Sequence, residues 1–121
     1  MLLIAAPLSK AETVEEMLSA CRPITEAPVS GGKVSLPETF EAGVCWGAFG
    51  VVQHQTRWLD PETSKPHFGV CTSEASTRTQ LIAVFAEYAK RNPRRYSEDF
   101  DDVVFDALRE SFPCRTQPKK K

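Results

Sequence analysis

Four cysteines, Cys21, Cys45, Cys71 and Cys114, constrain this 121-residue chain most strongly, because the segments between them read as helices that bridges would lock in pairs. The last two bracket a helical hairpin. Its first helix opens after Thr77, whose hydroxyl forms a capping box with Gln80, and it carries Leu81, Ile82, Phe85, Tyr88 and Ala89 on one broad face before stopping at Pro93. The second opens at Ser97, with Glu98 and Asp99 in the first turn, where the helix dipole favours negative charge. It places Phe100, Val103, Val104, Ala107 and Leu108 at i, i+3, i+4, i+7 and i+8. Neither helix buries its stripe alone. Antiparallel packing of the two brings Cys71 beside Cys114, and a bridge there closes about 44 residues, worth roughly 4 kcal/mol in the chain-entropy model.

The N-terminal half repeats the scheme less clearly. A short helix from Thr13 to Cys21 has Val14, Met17, Leu18 and Cys21 on one stripe and ends before Pro23. The segment from Ile24 to Ser35, with Pro28, Ser30, Gly31 and Gly32, has turn chemistry and no periodicity. A second helix is expected from Ser35 to about Trp58, with Phe40, Val44, Ala48, Val51 and Val52 on its main face and Trp46 and Phe49 on a flank. Gly47 and Gly50 read as positions where another helix comes close. If these two helices are also antiparallel neighbours, Cys21 reaches Cys45, closing about 25 residues for roughly 3.5 kcal/mol. Of the three pairings open to four cysteines, only Cys21–Cys45 with Cys71–Cys114 joins hairpin partners twice. The fold class expected is therefore all-α: a small four-helix domain of two antiparallel hairpins held by two disulfides.

Length allows a single domain with a modest core. Residues 1–11 read as the remnant of an export signal, with an apolar run from Leu2 to Leu8 and small residues at Ser9 and Ala11; residues 12–114 form the domain, and 115–121 a disordered basic tail. Such a leader is too short to span a bilayer, and export places four cysteines in an oxidising compartment. Charge is unevenly spread, residues 12–114 carrying 10 basic and 16 acidic side chains, which argues against nucleic acid and for a partner with a basic face.

Catalytic chemistry is sparse. Cys45, His54, His67 and Cys71 are zinc-type donors without zinc-site spacing, so no metal or cofactor is expected. The carboxylates of Glu98, Asp99, Asp101 and Asp102 crowd the start of one helix, where a solvated, dipole-complementing run explains them better than acid–base catalysis. No phosphate loop, nucleophile elbow or dinucleotide fingerprint occurs. The chain reads as a binding protein and not an enzyme. Candidate contact residues are Arg94, Arg95 and Tyr96 in the turn between the last two helices, and Trp58 at the end of the second helix, since Arg, Tyr and Trp dominate interface energetics. Tyr96 packing back onto its own helix is the competing explanation for that residue.

Several stretches together resemble a known family. Leu18-Ser19-Ala20-Cys21, Cys45-Trp46-Gly47, Gly69-Val70-Cys71, the run from Thr79 through Asn92-Pro93, and Asp106-Ala107-Leu108 through Phe112-Pro113-Cys114 are similar to the Rap/Tai immunity proteins that accompany type VI secretion peptidoglycan amidases. The likeness covers most of residues 13–114 and is sharpest in the C-terminal hairpin. It implies a small periplasmic helical protein, often a homodimer, that binds a cognate peptidoglycan amidase effector and occludes its cleft without turnover. Two departures are a longer link from Pro23 to Leu36 and Ala48-Phe49 where the family places an aromatic directly after the glycine. An exported module of the same fold with a different protein or small-molecule ligand is the alternative, marked by an apolar pocket between helices. A cytosolic thiol or metal protein would instead keep four free thiols.

Overall fold

The computed structural model describes residues 12–30, 33–73 and 76–114; the export-signal remnant and the basic tail expected from the sequence lie outside them. Four helices carry the described chain: α1 (Val14–Thr25), α2 (Phe40–Gln55), α3 (Arg78–Arg91) and α4 (Phe100–Ser111). A two-residue antiparallel ladder, β1 (Val29–Ser30) with β2 (Lys33–Val34), sits in the segment that the sequence reads as a featureless loop. No helix among the described residues is long and apolar enough to cross a membrane.

Thr13 caps α1, its hydroxyl accepting from the Glu16 N–H at 3.2 Å, and Val14, Met17, Ala20, Cys21 and Ile24 face inward. The helix runs through Pro23 to Thr25, four residues beyond the expected stop. An interior proline costs about 3 kcal/mol. Burying Ile24 returns about 1.5–3 kcal/mol, and the Glu26 N–H closes the turn on the Arg22 carbonyl at 2.9 Å.

The second helix starts later than expected and ends earlier. Pro37 biases Leu36 towards extended backbone, and Thr39 supplies the cap, accepting from the Ala42 N–H at 3.2 Å. Its core face is Ala42, Cys45, Phe49 and Val52, so the expected main face is rotated: Phe40 and Val51 point to solvent and Phe49 is fully buried. Gly47 has no described atom close to where its side chain would stand, and Gly50 is approached by the side chain of Arg78, the first residue of α3.

Helix α3 carries the expected capping box between Thr77 and Gln80 and buries Leu81, Ile82, Phe85, Ala86 and Ala89. Helix α4 begins at Phe100, three residues after the serine expected to cap it. Long-range backbone pairing explains the delay. The Val14 N–H donates to the Glu98 carbonyl at 2.9 Å and the Phe100 N–H to the Glu12 carbonyl at 2.8 Å, holding residues 98–100 extended against the entry to α1. Phe49, Phe85 and Phe100, one from each of α2, α3 and α4, meet at the centre with ring centroids 5.1–5.7 Å apart.

Both disulfides form with the expected pairing, leaving no free cysteine. Cys21–Cys45 ties α1 to α2 inside the core, with both residues at 0% exposure. Cys71–Cys114 lies at the surface, where Val70 pairs with Pro113 and the Cys71 N–H donates to the Phe112 carbonyl at 2.9 Å.

Candidate partner-binding face

A helix that is apolar on all sides is ordinarily enclosed on all sides. Helix α2 is enclosed on one. Opposite Cys45, Phe49 and Val52, its outer surface exposes Phe40 at 83% and Val51 at 58%, with half-buried Val44 and exposed Gly43, Gly47 and His54 along the same stripe. Among the described residues nothing outside the helix's own turns lies within 4 Å of where a side chain at Gly43 or Gly47 would stand, so that stretch of helix backbone is open to an approaching surface. Beyond the helix the stripe continues to Trp58 (46% exposed) and Leu59 (57%). Large apolar residues gathered on one face mark an interaction site more reliably than the same residues scattered singly.

Trp58 is fixed by what surrounds it. Its N–H donates to the Gln55 carbonyl at 3.1 Å and its carbonyl accepts from the His67 N–H at 2.7 Å. The indole meets His54 edge-on at 6.2 Å and Phe68 at 6.0 Å. Phe68 in turn lies on Phe105 of α4, and the His67 ring, paired through Nδ1 with Asp60 at 2.7 Å, stands edge-on to Phe68. The loop from 56 to 70 thus presents Trp58 on an aromatic footing anchored in the core.

The turn between α3 and α4 is organised differently. Arg95 donates from Nε and one terminal nitrogen to both oxygens of Glu98 at 2.9 Å, and from the other nitrogen to the Tyr88 hydroxyl and Asp106, both at 2.8 Å. Asp106 also accepts from Arg109, which donates onward to the Phe68 carbonyl at 2.9 Å. The Glu98 and Asp106 carboxylates hold the Arg95 proton more tightly still, and Arg95 holds Glu98 below the usual carboxylate range. Partial burial pushes Asp106 up, but its bonds to Arg95 and Arg109 outweigh that and its carboxyl is depressed overall. Arg95 is therefore spent on this network, Tyr96 is half-buried against the core, and of the three expected contact residues in the turn Arg94 alone is well exposed.

Composition alone did not single out Arg78 at the start of α3. Its guanidinium lies 4.5 Å from the centre of the Trp46 ring, donates to the Trp46 carbonyl at 3.3 Å and to Gln53 at 3.4 Å, and occupies the space that a side chain at Gly50 would need. It seals one flank of α2. The thiol donors weighed for a metal site are consumed, Cys45 and Cys71 each being in a bridge. Asp99, Asp101 and Asp102 bring carboxylate oxygens within 4.8 Å of one another, all exposed at the start of α4, where the helix dipole accounts for them.

Among known proteins, the family model for Rap1a immunity proteins matches residues 13–114, which takes in all four helices and both disulfides. No curated protein and no solved structure matches the chain at a significant level. On that match, the chain belongs to the Rap1a immunity protein family.

Proposed function

We propose that this is an exported immunity protein that binds a cognate type VI secretion peptidoglycan amidase and closes its catalytic cleft, docking through the outer face of α2 and the adjoining Trp58–Leu59 segment. The family carries the immunity role and implies a non-enzymatic inhibitor acting on an effector. The observation supporting the site is the one-sided burial of α2, which leaves Phe40, Val51, Trp58 and Leu59 displayed on a rigid scaffold. Association pays less ordering cost when the binding surface is already fixed, and two bridges with a buried aromatic centre fix this one.

Two disulfides suit a compartment that keeps thiols oxidised, so we place the mature protein in the periplasm, with residues 1–11 as the remnant of its leader. Arg94 and Trp58 remain contact residues in this reading; Arg95 and Tyr96 act by shaping the turn. Inhibition is steric, without turnover or cofactor.

The test is to co-express the chain with a candidate type VI secretion peptidoglycan amidase, isolate the complex, and measure hydrolysis of purified peptidoglycan. A complex of nanomolar affinity with hydrolysis abolished at equimolar ratio is expected. Failure to associate at micromolar concentrations, or association that leaves hydrolysis intact, overturns the proposal. Size measurements on the isolated chain determine whether a second copy covers the α2 face instead.

A further inference from the structure

The loop that carries Trp58 is paired mainly with itself. The Trp58 carbonyl accepts from the His67 N–H, the Asp60 N–H donates to the Lys65 carbonyl at 2.8 Å, and Leu59 bridges to Pro66. It reaches α4 through the four residues that follow. Phe68 stacks on Phe105, Val70 pairs with Pro113, and Cys71 is bonded to Cys114. Between these tethers lies Arg109. Its guanidinium donates to the Phe68 carbonyl, and its aliphatic stem lies against Gly69, 3.3 Å from where a β-carbon would stand. Gly69 takes a left-handed φ of +70°, so the chain bends where the Arg109 stem crosses it.

Arg109 is itself held by Asp106, and Asp106 holds a second arginine. One carboxylate oxygen, Oδ1, accepts from Arg109, and the other, Oδ2, accepts from Arg95. Arg95 forms the α3–α4 turn beside Arg94, and Arg109 fixes the loop that carries Trp58. A single carboxylate therefore serves both stretches that hold candidate contacts. Folding alone does not call for it, because the three side chains are a quarter to nearly half exposed and ion pairs of that kind add little to stability. What the carboxylate supplies is direction. A guanidinium gripped by a carboxylate has its remaining donors fixed in one plane, as a bond to one chosen carbonyl requires.

We propose that Asp106 is a positioning residue for the partner-binding face: through Arg109 it sets where Trp58 stands, and through Arg95 it sets the turn that displays Arg94. The role in effector binding rests on the immunity reading above; the control of Trp58 does not. Burial pushes the Asp106 carboxyl up, but its bonds to the two arginines depress it overall, so it keeps its charge at neutral pH. Removing that charge leaves two guanidinium groups close together with nothing between them. Arg109 then turns to solvent and releases Phe68, and a loop set free must be ordered again on binding, which lowers affinity.

Asp106→Asn removes the charge at nearly constant volume, and Arg109→Gln cuts only the arm to Phe68. In the isolated isotope-labelled chain, relaxation of the two indole N–H groups reads Trp58 directly, with Trp46, under Arg78 on the flank of α2, as the internal control. Both variants should make the Trp58 indole more mobile and leave Trp46 unchanged, while the melting temperature falls by no more than about 5 °C. An unchanged Trp58, or an equal change in both indoles, overturns the positioning role. Against the amidase each variant should bind about tenfold more weakly. In a Trp58→Ala background Arg109→Gln should cost less than about twofold, because the residue it positions is gone. A full loss in that background overturns the route through Trp58, and unchanged affinity with a mobile Trp58 removes Asp106 from recognition. If the wild-type chain never binds the amidase, the immunity reading falls while the indole measurements still decide whether Asp106 controls Trp58.

Discussion

The Phe68 ring lies flat on Phe105, centroids 4.1 Å apart and planes 10° from parallel, while the Phe68 carbonyl accepts from Arg109 on the same helix. One residue of the loop is thereby held twice by α4, and Trp58 leans on the same ring at 6.0 Å. Phe68→Ala should remove the footing beneath Trp58. The cost is about 2–3 kcal/mol, below the 3–5 typical of a fully buried phenylalanine because Phe68 is half-buried. Thermal unfolding measures the loss, and a red shift of tryptophan emission is expected as the Trp58 indole becomes wetter. An unchanged spectrum would mean that the loop keeps its shape without this stack.

The Arg95 network makes a prediction about pH. Glu98 and Asp106 are depressed, so the folded state favours their ionised forms. Their contribution is present above the ordinary carboxylate range and is lost as pH falls through it towards their folded values. Arg95→Met should lower the melting temperature at pH 7 by about 5 °C, a modest shift because the groups are half in solvent. Once the pH has fallen below the depressed folded values of both carboxylates the variant and wild type should converge, since the carboxylates then carry no charge for Arg95 to meet. Melting curves at several pH values give the answer. A gap that persists in acid would assign the effect to lost packing against Tyr88 instead of ion pairing.

Both bridges join the expected partners, yet they sit in different surroundings. Cys21 and Cys45 are sealed in the core, whereas Cys71 and Cys114 are exposed. Thiolate attack requires access, so mild reductant under native conditions should open Cys71–Cys114 first and leave Cys21–Cys45 until the chain unfolds. Alkylation followed by mass spectrometry reads this as a two-label intermediate confined to Cys71 and Cys114. Replacing that pair with serines should destabilise by roughly 4 kcal/mol, as expected for closing a loop of 43 residues.

How far the chain could be read in advance follows from how each segment is patterned. Helices α3 and α4 carry one-sided stripes with clear stops, and the residues expected to be buried, such as Leu81, Phe85, Val103 and Leu108, are buried. Helix α2 has apolar residues all the way round, so its pattern has no direction, and its burial depends on neighbours that a local reading cannot see. That is why the local pattern puts Phe40 on the main face and Phe49 on a flank, whereas the fold exposes the first and centres the core on the second. The start of α4 depends on backbone pairing with residues 12–14, some 85 positions away. Arg95 reads as available in the sequence for the same reason. Glu98 is visible three residues on, but Tyr88 and Asp106 converge with it only in the folded chain.

Two glycines one turn apart on α2 should respond differently to the same change. A side chain at Gly47 meets open space, so Gly47→Ala gains helix propensity without a clash and should stabilise by about 0.5–1 kcal/mol. At Gly50 an added carbon would stand 3.1 Å from the Arg78 guanidinium, displacing it from the Trp46 ring and cancelling much of the same gain. Denaturant midpoints should therefore rank Gly47→Ala above Gly50→Ala. Equal midpoints would show that Arg78 moves aside at no cost.

The outer face of α2 contributes little to folding, because Val51 is more than half exposed in the isolated chain. Val51→Asp should leave stability within about 0.5 kcal/mol, the usual range for surface changes. If the effector covers this face, the same substitution buries an unpaired carboxylate in the complex and should weaken binding at least tenfold. Trp58→Ala should weaken it by a similar factor, while Arg94→Ala, at the other candidate contact, isolates the contribution of the α3–α4 turn. Calorimetric titration of each variant against the amidase, alongside its unfolding curve, separates binding from folding. Full affinity in Val51→Asp would move the interface off α2 and leave the exposed stripe to a second copy of the chain.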